Sequence, residues 1–173
     1  WRPVEVGTAT AEGTEMTDYG TLLPGSPIAA GERYRVVSEV PDPSQAALEG
    51  AGTDYPERIV QRFTGLPEST PDRVAERTEE VVADAESPVE TARAIERYLE
   101  TTNSYSLSVD KPDGDVADAF LFEMDQGYCT YFATTMAVML RTQDIPARVA
   151  TGYTTGEKVD DDRYLVRGLN AHV

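Results

Sequence analysis

An α+β domain, with helices packed on an antiparallel sheet, is the fold class that three features of this 173-residue chain predict. Two proline-primed amphipathic stretches run between residues 70 and 101. A strongly apolar helical stretch begins at the single cysteine, Cys129. Alternating β-like segments follow it as far as the single histidine, His172.

Each element has a local cause. Residues 1–33 are rich in Gly, Thr, Pro and Glu with little periodicity, which predicts short strands and loops. RYRVVSEV (33–40) alternates as a strand that Pro41 and Pro43 end. PSQAALEGAG and PERIVQRF read as short helices closed by glycine. Thr70-Pro71 places a capping side chain before a proline in the first helical turn, and Asp72 suits the positive end of the helix dipole. That helix is expected to reach Ala85. Ser87-Pro88-Val89-Glu90 has capping-box spacing, and Val89, Ala92, Ile95, Tyr98 and Leu99 then share one face. The stretch 103–120, with its Pro-Asp-Gly turn, reads as a long loop. The third helix starts at or just before Cys129, with Phe132, Met136, Met139 and Leu140 as its apolar stripe. It ends at Gln143-Asp144, because Pro146 disfavours a helical Ile145. ARVATGY (147–153) and RYLVRGLNAHV (163–173) are expected as strands around the acidic turn Asp160-Asp161-Asp162. The chain therefore divides into an N-terminal extension, 1–65, and a core, 66–173.

Thirty-one acids face fifteen basic residues, for a net charge of −16. A phosphate backbone needs a basic footprint, so nucleic acid is excluded as a partner class. Acids spread along the whole chain, with only Lys111 and Lys158 as lysines, point to adaptation to high salt. One cysteine cannot close an internal disulfide. No run approaches the roughly 18 apolar residues of a membrane span. The abrupt ends, Trp1-Arg2-Pro3 and Ala171-His172-Val173, give the chain the look of an excised piece.

A free cysteine is ordinarily a small buried hydrophobe, and a lone histidine a structural residue. Position argues otherwise here. A thiol at a helix N-terminus lies beside unpaired backbone N–H groups at the positive end of the dipole. Those groups stabilise a thiolate, and also the oxyanion formed when it attacks an acyl carbon. Gly127 is expected to leave room for a substrate backbone, and Tyr128 to wall the site. A histidine on a neighbouring strand accepts the thiol proton and returns it to a leaving amine.

FLFEMDQGYCTYFATTMAVMLRTQDIPARVATGY (120–153), followed by YLVRGLNAHV, resembles the core of the transglutaminase-like superfamily, which shares the papain-like cysteine-protease fold. The resemblance rests on Gly127, Cys129, Phe132-Ala133, Arg141, Ile145-Pro146-Ala147-Arg148, Gly152-Tyr153 and His172. It is fainter through the Ala92–Leu99 segment and absent from the first 60 residues. It implies Cys129 as nucleophile and His172 as general base and acid, with a third residue, an aspartate, expected beyond Val173. On that reading the core is truncated at its C-terminus. No cofactor and no metal are implied, and Asp160-Asp161-Asp162 reads as a solvated hairpin tip. Asp144 stands where the family has glycine, and reads as a left-handed cap. Arg148 reads as structural rather than as a carboxylate clamp. Gln126 has the wrong spacing for an oxyanion donor. The nearest members suggested are membrane-anchored prokaryotic proteins that carry the core on their extracytoplasmic side.

The implied function is thiol-dependent acyl transfer on protein or peptide carboxamides through a Cys thioester. A cysteine peptidase or amidase of the same fold is the rival enzyme. The rival from another class is a catalytically idle module that binds peptide or envelope polymer.

Overall fold

The computed structural model describes residues 2–7, 13–17 and 21–173, and the chain forms two compact units, Trp1–Gln45 and Ala46–Val173. In the first, β1 (Arg2–Gly7) pairs antiparallel with β4 (Arg35–Glu39), and β2 (Glu15–Met16) pairs antiparallel with β3 (Leu22–Leu23). The units divide before the 65/66 boundary drawn from the sequence. Backbone pairing is the reason. Ala147 donates its N–H to the Phe63 carbonyl at 3.0 Å, and Arg141 Nη1 reaches the Gly65 carbonyl at 2.9 Å, so residues 57–65 belong to the larger unit.

The larger unit carries α1 (Gln45–Glu49, which starts at the junction), α2 (Glu57–Phe63), α3 (Asp72–Val81), α4 (Pro88–Thr102), β5 (Ser104–Tyr105), α5 (Val116–Phe122) and β6 (Gln126–Gly127). Then come α6 (Cys129–Thr142), β7 (Gly152–Tyr153), β8 (Glu157–Asp160), β9 (Arg163–Leu165), a 3-10 turn (Gly168–Asn170) and β10 (Ala171–His172). The class is α+β, as expected. Among the described residues the sheet is not one surface but a set of two-stranded ladders, of which β5–β6 is parallel and the others antiparallel.

Helices α3 to α6 enclose the core. Val74, Ile95, Leu99, Phe120 and Met139 are fully or almost fully buried, each worth about 1.5–3 kcal/mol of apolar transfer. Caps set their limits. Ser87 Oγ accepts from the Glu90 N–H at 3.3 Å, while the Glu90 carboxylate accepts from the Glu86 N–H at 2.8 Å, one residue outside the box expected at Ser87. Helix α3 ends at Val81, not Ala85, and Pro71 rather than Thr70 occupies its N-cap, with no side-chain hydrogen bond there. Gly65 follows the C-cap Thr64 of α2 but is not among the glycines with positive φ, so it does not close the helix in the left-handed way.

The stretch 103–120 is not all loop. Asp115 accepts from the Asp118 N–H at 3.0 Å and starts α5, whose Ala117, Ala119 and Phe120 are buried. Arg73 of α3 holds this helix through a bidentate pair with Asp118, and its Nη2 also donates to Glu123 at 3.1 Å. The hydrogen bond to Asp118, chiefly, pushes the guanidinium pKa further above its usual range. Asp144 takes φ 55°, the left-handed cap expected of it. The segment 163–173 is not one strand: Asn170 Oδ1 accepts from the Arg167 N–H at 2.8 Å and turns the chain before β10.

Gly127 is buried where two aromatic side chains of the core close on the backbone. A Cβ there would lie 2.8 Å from Phe120 Cε2 and 2.9 Å from Tyr131 Cβ. This corrects the expectation that Gly127 leaves space for a substrate; the space is taken by Phe120 and Tyr131. Gly127→Ala is accordingly expected to lower unfolding stability by about 1–3 kcal/mol in urea denaturation, the usual penalty of overpacking. Unchanged stability would mean that the Phe120 ring moves aside freely.

Candidate active site

Helix α6 is half core and half groove wall. Tyr131, Thr135, Ala137 and Met139 are buried. Cys129, Phe132, Ala133 and Met136 lie at i, i+3, i+4 and i+7 on a second face, only part-buried. The stripe read from the sequence as core thus divides, with Met139 inside and Phe132 and Met136 on the groove. Across it, α4 presents Glu96, Leu99, Glu100 and its C-cap Asn103 at the same spacing. Tyr105 of β5 and His172-Val173 at β10 complete a groove of about 480 Å³.

Cys129 is the first residue of α6, and its N-cap, Tyr128, contributes no side-chain hydrogen bond. The N-cap side chain thus leaves the first-turn N–H groups uncapped, although that of Tyr131 donates to the Tyr128 carbonyl at 2.8 Å. Tyr128 is held elsewhere: its ring meets that of Tyr131 edge to face at 4.8 Å. Neither Tyr128 nor Gly127 lines the groove, so the site wall expected at Tyr128 is supplied by Tyr105, Phe132 and the α4 face instead. His172 arrives by strand pairing. It stands opposite Gly152 in the β7–β10 ladder, and the next rung is continued by the Thr154 N–H to the Asn170 carbonyl at 2.9 Å. The two residues singled out by their rarity, Cys129 and His172, share one groove. Among the described residues the imidazole has no hydrogen-bonded carboxylate.

Two further predicted residues lie away from it. Gln126 is exposed and pairs with Ser104 in the β5–β6 ladder. Arg148 places its guanidinium 6.0 Å from the centre of the Phe63 ring. Sequence reasoning missed Asn103, whose Nδ2 donates to the carbonyls of Phe120 (3.1 Å) and Met124 (2.9 Å). It closes the open C-terminal end of α5 and ties that helix to the groove. The signal was present, because Glu96, Leu99, Glu100 and Asn103 keep helical spacing on a second face of an already predicted helix.

A cysteine at the start of α6 and a histidine on a paired strand line one groove in an α+β fold of the papain-like class. A protein-family model described as the transglutaminase-like superfamily matches residues 75–173. The chain belongs to that superfamily. It is 36% identical over 120 residues to the uncharacterized protein YebA of Bacillus subtilis, covering 64% of this chain and 16% of YebA. It is 35% identical over 91 residues to a protein-glutamine gamma-glutamyltransferase of Pseudomonas aeruginosa, covering 52% of this chain and 14% of that protein. The chain thus spans a small part of the length of these relatives. The crystal structure of the periplasmic domain of TgpA from Pseudomonas aeruginosa, bound to ethylmercury, is similar with a TM-score of 0.74 and 26% identity. That match covers 97% of this chain and 58% of the other. A second crystal structure of the same periplasmic domain gives 0.61 and 30%, over 69% and 42% of the two chains.

Burial, and then its hydrogen bond to Tyr128, push the Tyr131 phenol above its ordinary value. The fold thus favours the neutral phenol. Its contribution to stability is complete below the ordinary tyrosine value of about 10, and is lost as pH rises through the raised one. Unfolding free energy should therefore fall more steeply in wild type than in Tyr131→Phe as pH rises above about 10. Parallel alkaline limbs in the two proteins would place that loss on other groups.

Proposed function

We propose that this domain performs thiol-dependent acyl transfer on protein or peptide carboxamides through a thioester on Cys129. The observation that carries the proposal is the shared groove: the thiol at the N-terminus of α6 and the imidazole of His172 line the same 480 Å³ space. His172 takes the thiol proton as Sγ attacks the carboxamide carbon and later gives it to departing ammonia. The first-turn N–H groups of α6 stabilise the oxyanion. An amine or water then accepts the acyl group, giving cross-linking or hydrolysis. The resemblance to a protein-glutamine gamma-glutamyltransferase supports the first outcome. The periplasmic location of the structural neighbour supports an extracytoplasmic place for this domain in a membrane-anchored parent, although no helix among its described residues is long and apolar enough to cross a membrane.

Incubation with a glutamine peptide, followed by intact mass spectrometry, should show the acyl adduct on wild type and none on Cys129→Ala. Ammonia release by His172→Ala should fall at least about 10²-fold. Adduct formation on a residue other than Cys129 would remove the nucleophile assignment.

We further propose that the −16 charge is an adaptation to high salt. As the Debye length shrinks from about 10 Å at 0.1 M to about 3 Å at 1 M, self-repulsion is relieved. Tm is expected to climb steadily with KCl over that range. A flat Tm would overturn the salt-adaptation reading.

A further inference from the structure

We propose that Glu96 and Glu100 form a charge-reading wall for the acyl acceptor. On this view the groove favours diamines, and lysines set among other basic residues, over neutral or anionic amines. The proposal rests on the acyl-transfer reading above and names the acceptor class of that same site.

Glu96 and Glu100 stand one turn apart on α4, a like-charge spacing that opposes helix formation. Both line the groove that holds Cys129 and His172. Among the described residues neither makes an ion pair or a hydrogen bond, whereas Asn103 beside them is committed. Its Nδ2 donates to two carbonyls of the α5 end, and its Oδ1 accepts from Thr102 Oγ1 at 2.9 Å. Among the described residues that line the groove none is a lysine or an arginine. On the α6 side the lining is apolar. Tyr105 stacks on Phe132 at 6.3 Å with an interplanar angle of 19°, and Met136 continues the shelf. An aliphatic stem fits that shelf, and the exposed Tyr105 ring also attracts cations.

The chemistry assigns this charge to the acceptor. A carboxamide donor and its thioester are neutral, but an aliphatic amine is cationic near neutral pH. The attacking nitrogen must lose that charge. After releasing one proton to solvent it bonds to the thioester carbon, the C–S bond breaks, the thiolate leaves on Cys129, and a second proton passes from the nitrogen to His172. A cation held by the wall throughout this step is therefore a second group on the acceptor, as in a diamine. A negative groove also raises the local concentration of such molecules.

Reaction of Cys129 with methanethiosulfonates bearing cationic (aminoethyl), neutral (methyl) and anionic (sulfonatoethyl) groups reads the wall without needing turnover. At low ionic strength the cation-to-anion rate ratio should drop about tenfold in E96Q/E100Q. It should change by less than about twofold in E76Q/E79Q, which removes equal charge from an exposed face of α3. Equal drops in the two variants would assign the preference to net charge and overturn the proposal, as would no drop in either.

A second arm compares pentane-1,5-diamine, pentylamine and 6-aminohexanoate as acceptors from a glutamine peptide, with ammonia release in their absence reporting the donor half-reaction. Loss of the diamine preference in E96Q/E100Q, with ammonia release intact, supports the wall. Retention of the preference overturns it, and so does a matching fall in ammonia release, which would assign the acids to the donor. Absence of ammonia release in wild type defeats the acyl-transfer reading itself, and the methanethiosulfonate rates then decide whether the groove reads charge.

Discussion

The close approach at Gly127 is the constraint on which the site depends. Phe120 is fully buried, and its ring edge occupies the volume that any side chain at 127 would need. The same ring meets Phe132 edge to face at 4.8 Å and Tyr131 at 5.9 Å. One aromatic side chain from α5 thus sets the path of the chain into α6, the seating of its first turn, and the back of the groove wall. Edge-to-face aromatic pairs add about 0.5–1.5 kcal/mol each beyond area burial, and they fix orientation as well as depth. Cys129, two residues after Gly127, inherits its position from that packing.

The ends of the helices are tied with equal economy of parts. Asn103 caps α4, closes the α5 carbonyls and lines the groove, so it links the end of α5 to the α4 wall. At the far end of α6, Arg141 donates through Nε and Nη2 to the Ala147 carbonyl, at 2.9 and 2.7 Å, while Nη1 reaches Gly65. Charged donors on backbone carbonyls are among the stronger hydrogen bonds available. They hold the exit of α6, from which the chain passes towards β7 and the rung beneath His172. Positions far apart in the chain are thereby brought to one groove by a small number of directional contacts.

The groove is chemically two-sided. One helix contributes thiol and apolar carbon, and the other contributes carboxylates and an amide. Exposure of Glu96 and Glu100 leaves them hydrated when the groove is empty, which avoids the desolvation cost of buried charge.

The sequence by itself determined the class of the fold, the start of α6 at or just before Cys129, the left-handed cap at Asp144 and the singling out of Cys129 and His172. Each of these is local: a capping pattern, a helical period, a proline, or a residue type that occurs once. Tertiary structure alone decided which face of α6 is core and which is groove, because Phe132 and Tyr131 are equally apolar by sequence and differ only in what packs on them. It also decided the task of Gly127, since a missing side chain looks the same whether the space admits a substrate or the ring of Phe120. Helix α5 was hidden in an apparent loop because its seven residues are too few to display a period, and its stability comes from burial against α6 and the Arg73–Asp118 pair. Glu96 and Glu100 acquire a place on the groove only when the opposite wall is in position. Which faces meet is a property of long-range packing, and no local pattern encodes it.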